Sequence, residues 1–334
     1  MSAIVLLNPA DDVGTLVRPG SAGEALVQGG ITLTDNVAPG HKIAAKAIPS
    51  GQAIRKFGQI IGYAAMDIAP GEHVHSHNCT IGEHDQDYQI GIDLQAAQAA
   101  IPRGPSRTFE GYRRSNGQIG TRNYIALCST VNCSATVVRQ AAHELTVSGQ
   151  LDAYPHVDGV CVFAHGTGCG MAMGGEGAAN LERVLWGHAT HPNVGATIFV
   201  GLGCEVMQVE VMKTLYGAQI ADRFHGLTIQ ETGGTRATID RLKAMVISML
   251  PEVNAVSRST CPASALSVAL QCGGSDGYSG ITANPALGVA ADQLVGLGGT
   301  AILAETPEIY GAEQLLLRRA ASQDVADKLI ERIQ

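Results

Sequence analysis

Apolar runs and amphipathic segments alternate along the sequence from residue 109 onward. Most of the apolar runs are followed by a loop rich in glycine or cysteine and then by a segment of helical period. The predicted strands are residues 124–128, 159–164, 196–200, 227–230, 266–271 and 300–304. Strands that alternate with helices predict an α/β domain in which a mostly parallel sheet carries helices on its faces.

Three of the intervening segments place apolar side chains on one helical face. After the first strand, the face comprises Val138, Ala141, Ala142 and Leu145. After the fourth strand, Thr235 is the predicted cap of a helix, and the face comprises Ile239, Leu242, Val246 and Met249. After the fifth strand, Asn284-Pro285 predicts a cap and a first-turn proline, and the face comprises Leu287, Ala290, Ala291 and Leu294.

The first part of the chain has a different pattern. Residues 1–82 contain short β-type runs, AIVLL, TLVRP, ITLT and KIAAKAI, separated by Pro-Gly and Gly-Gly turns. Residues 83–108 mix polar residues with a Gly-Pro pair and predict a linker. We therefore expect a small β-rich domain at 1–82, a linker at 83–108 and an α/β catalytic region at 109–334.

Composition narrows the classes of function. With 334 residues, of which 45% are hydrophobic and 16% charged, the chain can bury a substantial core. A net charge of −8 argues against general binding of nucleic acid or of anionic membranes. The N-terminus lacks a basic segment and no apolar run is long enough to cross a bilayer, so we expect a cytoplasmic protein. In that compartment the eight cysteines are expected to be thiols or metal ligands.

Chemically reactive side chains are concentrated in the loops that follow the predicted strands. Ligands of parallel sheets bind beyond the carboxyl ends of the strands, so a site is expected there. The loops contain Cys133, His165, Cys169, Cys204, Glu205, Glu231, Arg236, Cys272, Ser275, Asp276, Glu305 and Glu308. Such ligands suit Fe(II), Zn(II) or an iron–sulfur cluster. The alternative is that the cysteines are small buried apolar residues.

Two other kinds of site are excluded by their motifs. Residues 273–277 fit the G-x-S-x-G nucleophile elbow, but no histidine follows Ser275, as the chain order of an α/β-hydrolase triad requires. The glycine-rich loops match no P-loop, and Met171 and Val206 stand where the dinucleotide-binding pattern needs its third glycine. Hydrolase and nucleotide-binding functions are therefore not expected.

Histidines and arginines supply two further candidate features. In an extended conformation, His73, His75 and His77 of the sequence GEHVHSHN point to one face. Such a strip can bind a metal, contact a substrate or remain a solvated surface. Arg122 and Arg236 follow Gly-Thr and are candidates for bidentate binding of a carboxylate; the alternative is that they are ordinary surface arginines.

These motifs together resemble the altronate/galactarate dehydratase family. The resemblance rests on GEHVHSHN, FEGYRRSNGQIGTRNYIAL, HGTGCG, GLGCE, QCGGSDGYSGITANPALG and AETPEIYGAEQLL, which occur in this order. It implies an N-terminal β-clip (SAF) domain, a Rossmann-like catalytic domain, iron and a homodimer. It also implies a hydro-lyase that converts a sugar acid to a 2-keto-3-deoxy acid, with altronate favoured over galactarate or a related 2-hydroxy acid. Family members normally continue beyond Gln334, so we expect the C-terminal part of the family domain to be missing.

The expected reaction removes the proton next to the substrate carboxylate and then the 3-hydroxyl. The candidate catalytic residues are His75, His165, Glu205 and Asp276. The candidate substrate-binding residues are His77, Arg122, Asn123, Arg236 and Ser275. The metal is expected to be Fe(II), or an iron–sulfur cluster held by a subset of Cys133, Cys169, Cys204 and Cys272. A catalytically silent protein that senses a sugar acid is the alternative function, motivated by the missing C-terminal part.

Overall fold

The computed structural model describes residues 3–26, 30–82, 88–216, 224–274 and 276–334. Its internal contacts divide the chain into two compact units. One comprises Met1–Pro105 together with Leu266–Gln334, and the other comprises Ser106–Ala265. Residues 109–334, expected as one α/β region, are therefore shared between the two units.

The N-terminal segment forms two small antiparallel sheets. Its strands are β1 (Ile4–Val5), β2 (Val13–Leu16), β3 (Lys42–Ala44), β4 (Ala53–Lys56), β5 (Gln59–Ala64), β6 (His73–Val74) and β7 (Cys79–Thr80). Their order is β1-β2-β3-β6 in one sheet and β4-β5-β7 in the other. The predicted β-type run at 31–34 forms no strand, although Ile31 and Leu33 are buried in the core. Here the apolar pattern predicted burial better than it predicted strands.

The described part of the predicted linker is packed rather than free. It contains the helix α1 (Leu94–Ala100). Arg318 forms a bidentate pair with the carboxylate of Asp93 at 2.5 and 3.1 Å, and Tyr88 donates a 2.8 Å hydrogen bond to Glu313. These contacts hold residues 88–100 against the C-terminal segment of the same unit.

The central unit is built on a four-stranded parallel sheet. Its elements are β8 (Thr108–Arg113), β9 (Ile119–Gly120), β10 (Tyr124–Ser129), α2 (Ala135–Val147), β11 (Gly159–Phe163), α3 (Glu176–Ala189), β12 (Val194–Gly201), α4 (Val209–Tyr216), β13 (Phe224–Thr228), α5 (Ile229–Thr232), α6 (Thr235–Asn254) and β14 (Ser259–Pro262). The parallel sheet has the order β11-β10-β12-β13, and β14-β8-β9 form a small antiparallel sheet. Alternate residues of β10 enter two apolar clusters, one with α2 and α6 and the other with α3. Helices therefore cover both faces of the sheet.

The predicted helices of this unit are confirmed, with one correction at the start of α6 and one at the end of the fourth strand. The predicted core residues that are buried are Val138, Ala141, Ala142, Leu145, Ile239, Leu242 and Val246. Thr235 is the first residue of α6 rather than its cap, and Gly234 occupies the cap position with a φ of 107°, which favours glycine. The fourth strand ends at Thr228, because the Thr228 hydroxyl accepts a hydrogen bond from the amide of Glu231 and starts α5.

The last two predicted strands pair with each other. The C-terminal segment contains β15 (Ser267–Leu270), α7 (Ala283–Gly296), β16 (Thr300–Leu303), α8 (Gln314–Leu317) and α9 (Gln323–Ile333). β15 and β16 form a two-stranded parallel sheet that belongs to the unit of the N-terminal segment. Parallel strands and helices are thus present, but one Rossmann-like sheet through residues 109–334 is not confirmed. Local periodicity identified these strands and did not identify their partners.

Helix α7 is apolar without being buried. Its cap is Thr282, so Asn284 and Pro285 lie within the first turn rather than at the cap. None of its residues is buried, and Leu287, on the predicted core face, is 44% exposed. Within the described residues, no helix combines the length and hydropathy that crossing a bilayer requires.

Candidate active site

Thiols, an imidazole and a carboxylate lie at the carboxyl edge of the four-stranded sheet. Cys133 follows β10, His165 and Cys169 follow β11, and Cys204 and Glu205 follow β12. The three strands are neighbours, so these side chains share one edge. All three thiols are exposed, as is Cys272 of the other unit, so none of the four is a buried apolar cysteine.

Glu205 is a buried carboxylate that joins two of these loops. Its Oε1 accepts a 2.8 Å hydrogen bond from the hydroxyl of Thr130, and its Oε2 accepts a 2.7 Å bond from the amide of Gly203. A Cβ at Gly201 would collide with the same carboxylate, which explains a glycine at the end of β12. Both oxygens are thus engaged in holding the loops after β10 and β12.

His165 is held by the end of β10 and by its own loop. Its Nε2 donates to the carbonyl of Ser129 at 2.9 Å, and its Nδ1 accepts from the amide of Thr167 at 3.3 Å. Burial lowers the pKa of His165, although the two backbone hydrogen bonds act to raise it. The neutral imidazole therefore has its lone pair occupied and fixes the loop that carries Cys169.

Arg122 and Asn123 lie at the opposite edge of the sheet, before β10. Asn123 is fully buried and its Nδ2 donates to the carbonyls of His156 and Val253 at 2.7 and 2.9 Å. Its Oδ1 accepts a 2.8 Å bond from Arg114, which is also buried. The Arg122 guanidinium lies 3.9 Å from the carboxylate of Asp158. The contacts of Arg122 and Asn123 support structural roles for both residues. Substrate binding by them remains a prediction, and their location before β10, opposite the carboxyl edge of the sheet, does not favour it.

Replacement of Asn123 by alanine is expected to lower the free energy of unfolding by about 3 kcal/mol, because it removes three buried hydrogen bonds, one from Arg114 Nη1 and two to the carbonyls of His156 and Val253. Chemical denaturation monitored by circular dichroism measures this change. Asn180→Ala, on the exposed surface of α3, is the control and should change stability by less than about 0.5 kcal/mol. Unchanged stability with a raised KM would instead indicate that Asn123 contacts the substrate.

Arg236 is in the first turn of α6 and forms ion pairs within its own unit. Its guanidinium lies 3.4 Å from the carboxylate of Glu144 and 3.3 Å from that of Asp240. Lys243 also binds Glu144, and the hydrogen bond from Lys243 is the main reason that the pKa of Glu144 falls to about 2. The carboxylates offset the unfavourable interaction of Arg236 with the helix dipole. Its side chain is 70% exposed, so it can still reach an anion.

In the other unit, two motifs that are distant in the sequence meet. The loop that follows β15 packs against the turn before β3, with Gly277 against the backbone of Gly40. A Cβ at Gly277 would lie 2.6 Å from the Cα of Gly40, so the two backbones approach as closely as glycines permit. The hydroxyl of Tyr278 also donates to the carbonyl of Val17 at 3.3 Å. Asp276 and His41 are the sequence neighbours of the two glycines, so both belong to this junction.

Four imidazoles surround the imidazole turn, which is the turn after β6 at residues 75–78. His41 Nδ1 lies 2.9 Å from His73 Nε2, and the rings of His75 and His77 lie next to that of His73. Burial lowers the pKa of His73, and the nearby charges of the other three histidines and of Lys42 lower it further. The predicted strip is therefore a cluster, in which His41 and His73 are half-buried and His75 and His77 are exposed.

Asn78 builds the turn that presents His75 and His77. Its buried Oδ1 accepts from the amide of His75 and its Nδ2 donates to the carbonyl of His73, both at 3.0 Å. The His75 ring contacts the hydroxyl of Ser76 through Nδ1 at 3.0 Å. When Nδ1 carries the proton and donates it to that hydroxyl, the lone pair of Nε2 is available to a substrate.

Asp276 is exposed on the loop that meets this turn. Its Oδ1 accepts a 2.6 Å hydrogen bond from the amide of Tyr278, which leaves Oδ2 available. Ser275, a predicted substrate-binding residue, lies outside the described residues.

Cys272, Glu305 and Glu308 form a group of possible metal ligands at the carboxyl edge of β15 and β16. One ligand atom of each lies within 4.8 Å of the others, and all three residues are exposed. Glu305 accepts hydrogen bonds from Gln271 Nε2 at 2.9 Å and from the Cys272 amide at 2.7 Å, and these lower its pKa. Its φ of 62° is in the left-handed region, an unusual conformation for glutamate that is often found at functional sites. A thiolate and two carboxylates fit a divalent cation such as Fe(II).

Some members of these sites were not assigned from the sequence. His41 precedes β3 and stands apart from the GEHVHSHN motif, so only strand pairing reveals its place in the cluster. Asn78 was quoted within that motif, and its side chain could have been identified as the residue that closes the turn. Glu305 and Glu308 were recognised as loop residues but received no role, since nothing local pairs them with Cys272.

Three family models match successive parts of the chain. The Altronate/galactarate dehydratase SAF domain matches residues 2–82. D-galactarate dehydratase/Altronate hydrolase, second domain, matches residues 111–254. D-galactarate/Altronate dehydratase, C-terminal, matches residues 263–334. All three describe the same family, in the same order along the chain.

Curated relatives agree with these matches. Altronate dehydratase of Bacillus subtilis (strain 168) is 34% identical over 343 aligned positions, which cover 100% of this chain and 66% of that protein. Altronate dehydratase of Escherichia coli (strain K12) is 37% identical over 304 positions, or 90% of this chain and 59% of that protein. Galactarate dehydratase (L-threo-forming) of the same strain is 32% identical over 311 positions, or 91% and 59%. The chain thus spans about three fifths to two thirds of the length of these relatives. It belongs to the altronate/galactarate dehydratase family.

Proposed function

We propose that this protein is a hydro-lyase that dehydrates a sugar acid to a 2-keto-3-deoxy acid. The observation that carries the proposal is the junction at Gly40 and Gly277, where the Asp276 loop packs against the turn next to His41 of the imidazole cluster, in a chain whose relatives are dehydratases. Altronate is the preferred substrate in this proposal, with galactarate or a related 2-hydroxy acid as the next candidates. None of the comparisons supports the catalytically silent alternative.

Proton removal is the first step. His75 acts as the base in this proposal, because its Nε2 is exposed and its Nδ1 can donate to Ser76. It takes the proton from the carbon next to the substrate carboxylate. The lone pair of His165 is already occupied by the Thr167 amide, which supports a role for His165 in positioning its loop.

Loss of the 3-hydroxyl is the second step. Asp276, in its protonated form, donates a proton from Oδ2 to the leaving oxygen, while Oδ1 stays bonded to the Tyr278 amide. Water leaves, and the resulting enol rearranges to the keto acid. His77, whose ring lies next to that of His73, remains a candidate contact for the substrate, and carboxylate binding by Arg236 stays a prediction. Both oxygens of Glu205 are bonded within the protein, which supports a role in holding its loops.

Iron is part of the proposal. Cys272, Glu305 and Glu308 would hold Fe(II), which would supply positive charge to stabilise the anion formed next to the carboxylate. An iron–sulfur cluster held by a subset of Cys133, Cys169, Cys204 and Cys272 is the alternative. Anaerobically purified protein that is colourless with stoichiometric iron supports the mononuclear site, whereas brown protein with a broad visible band supports the cluster.

A substrate screen tests the proposed function. The chain is incubated anaerobically with Fe(II) and with D-altronate, D-galactarate or (2R)-sulfolactate, whose carbon 3 would release sulfite instead of water, and the 2-keto acid formed is measured alongside binding by calorimetry. We expect the keto acid from altronate, and less or none from the other two. Tight binding of altronate without keto acid would contradict the enzyme and favour the sensing protein.

Glu305→Gln is expected to weaken Fe(II) binding by at least about tenfold, since the variant loses the charge of a ligand and keeps its size. Equilibrium dialysis under anaerobic conditions measures the change. Glu331→Gln, an exposed carboxylate on α9 of the same unit, serves as the control. Equal iron binding by both variants would place the metal elsewhere.

The homodimer is likewise a proposal. Sedimentation equilibrium should give twice the chain mass of 34.6 kDa. A species of monomer mass at all concentrations tested would contradict it.

A further inference from the structure

The imidazole cluster of the N-terminal segment has the dimensions of a metal site. The ring centroids of His41 and His73 are 4.9 Å apart, those of His41 and His75 are 5.7 Å apart, and those of His73 and His75 are 5.4 Å apart. Zinc–imidazole bonds of about 2.05 Å place each centroid about 3.2 Å from the metal, so two ligands in a tetrahedral site are separated by about 5.2 Å. All three measured separations lie near this value.

Centroid distances are the appropriate comparison because ring orientation is adjustable. Rotation of an imidazole about its Cβ–Cγ bond exchanges nitrogen and carbon positions and leaves the centroid almost in place, and the choice between the two orientations is an assignment. At present only His41 Nδ1 and His73 Nε2 are brought to 2.9 Å. The nitrogens of His75 do not lie within ligand distance of both in the observed orientation, in which Nδ1 contacts the Ser76 hydroxyl, so the site requires this exposed ring to turn.

The backbone fixes the three Cα positions. β3 and β6 pair with Lys42 opposite Val74, which sets His41 and His75 across from each other at the strand ends. His73 and His75 are two residues apart on the same strand end, and the buried side chain of Asn78 bonds to the backbone of both. The site is therefore formed by two paired strands and by a turn that the Asn78 side chain holds with hydrogen bonds. Neither feature depends on a ligand.

We propose that His41, His73 and His75 bind a divalent transition-metal ion, with His77 available as a fourth ligand. Its ring lies 5.6 Å from that of His73, a separation that again fits a shared ion. Imidazole nitrogen alone suits Zn(II), Ni(II) or Cu(II), and differs from the sulfur and oxygen ligands of Cys272, Glu305 and Glu308. Where the proposed function holds, an ion at His75 takes the lone pair of the base, and Zn(II) inhibits dehydration.

Metal binding is measured on the Cys272→Ser chain, which lacks the thiol of the other ligand group. Co(II) should bind with visible d–d bands and without thiolate-to-cobalt charge transfer, and Zn(II) should displace it. His41→Ala and His73→Ala should each weaken binding at least about tenfold, since even the loss of groups that only support ligands has effects of this size. His143→Ala, exposed on α2, should bind as the parent does.

Unchanged binding in both the His41 and His73 variants, or no binding by the Cys272→Ser chain, would overturn the proposal. X-ray absorption of the Zn(II)-loaded Cys272→Ser chain provides a second reading that needs no histidine variant. It should show at least three imidazoles, and a shell with fewer than three would also overturn the proposal. Neither reading involves turnover, so failure of this site and failure of the proposed function are distinguishable.

Discussion

Gly277→Ala is expected to lower turnover about 100-fold and the free energy of unfolding by about 1–3 kcal/mol. The added methyl group would meet the backbone of Gly40, which cannot move aside as a side chain can. Gly277 does not have a positive φ, so the effect is steric and owes nothing to backbone strain. The Asp276 loop and the imidazole turn must separate, and the reacting groups lose their alignment. Initial rates under saturating substrate and chemical denaturation measure the two effects.

Gly274→Ala is the matched control within the same loop. A Cβ at Gly274 has no heavy atom within 4 Å, and this glycine also lacks a positive φ. The variant should keep its turnover and change stability by less than about 0.5 kcal/mol. If the two variants behave alike, close approach at Gly40 has no role in the site.

Asp276→Asn is expected to lower turnover by at least about 100-fold with stability unchanged. The amide oxygen can still accept the hydrogen bond from Tyr278, so the loop keeps its conformation. The amide cannot deliver a proton to the leaving hydroxyl, and that step then depends on water. Steady-state kinetics should show the loss in kcat rather than in KM.

Asp292→Asn is the control for this change, because Asp292 is exposed on α7 of the same C-terminal segment. It should turn over as the unmodified chain does. Wild-type turnover by Asp276→Asn would remove Asp276 from the catalytic residues.

Periodicity predicted elements that are stabilised locally. The strands at β10, β11 and β12 and the buried faces of α2 and α6 were predicted because an apolar pattern is a property of one element. The pairing of β15 with β16 is a property of two distant elements, and no local pattern specifies it. The same limit applies to the contact of Gly40 with Gly277, which depends on the approach of two loops.

The chemistry of single residues was predicted less completely than the edge on which they lie. Arg122, which follows Gly-Thr, and its neighbour Asn123 were interpreted as candidate substrate ligands, but they stand before a strand, where the position favours structural contacts. His165 and Glu205 do follow strands, and their hydrogen bonds join their own loops to the end of β10 and the loop after it. The sequence predicts the edge of the sheet at which a residue lies, whereas the hydrogen-bond partners of its side chain are known only from the structure.

The central claim is that the imidazole turn and the Asp276 loop form one catalytic site. A double-mutant cycle with His75→Ala, Asp276→Asn and the double variant tests it through the rate of 2-keto-3-deoxy acid formation from D-altronate with Fe(II). Substitutions of residues that act in one site have strongly non-additive effects on the rate. The double variant should therefore be only slightly less active than the less active of the two single variants. Losses that multiply in the double variant would mean that the two residues act independently, which would contradict the claim.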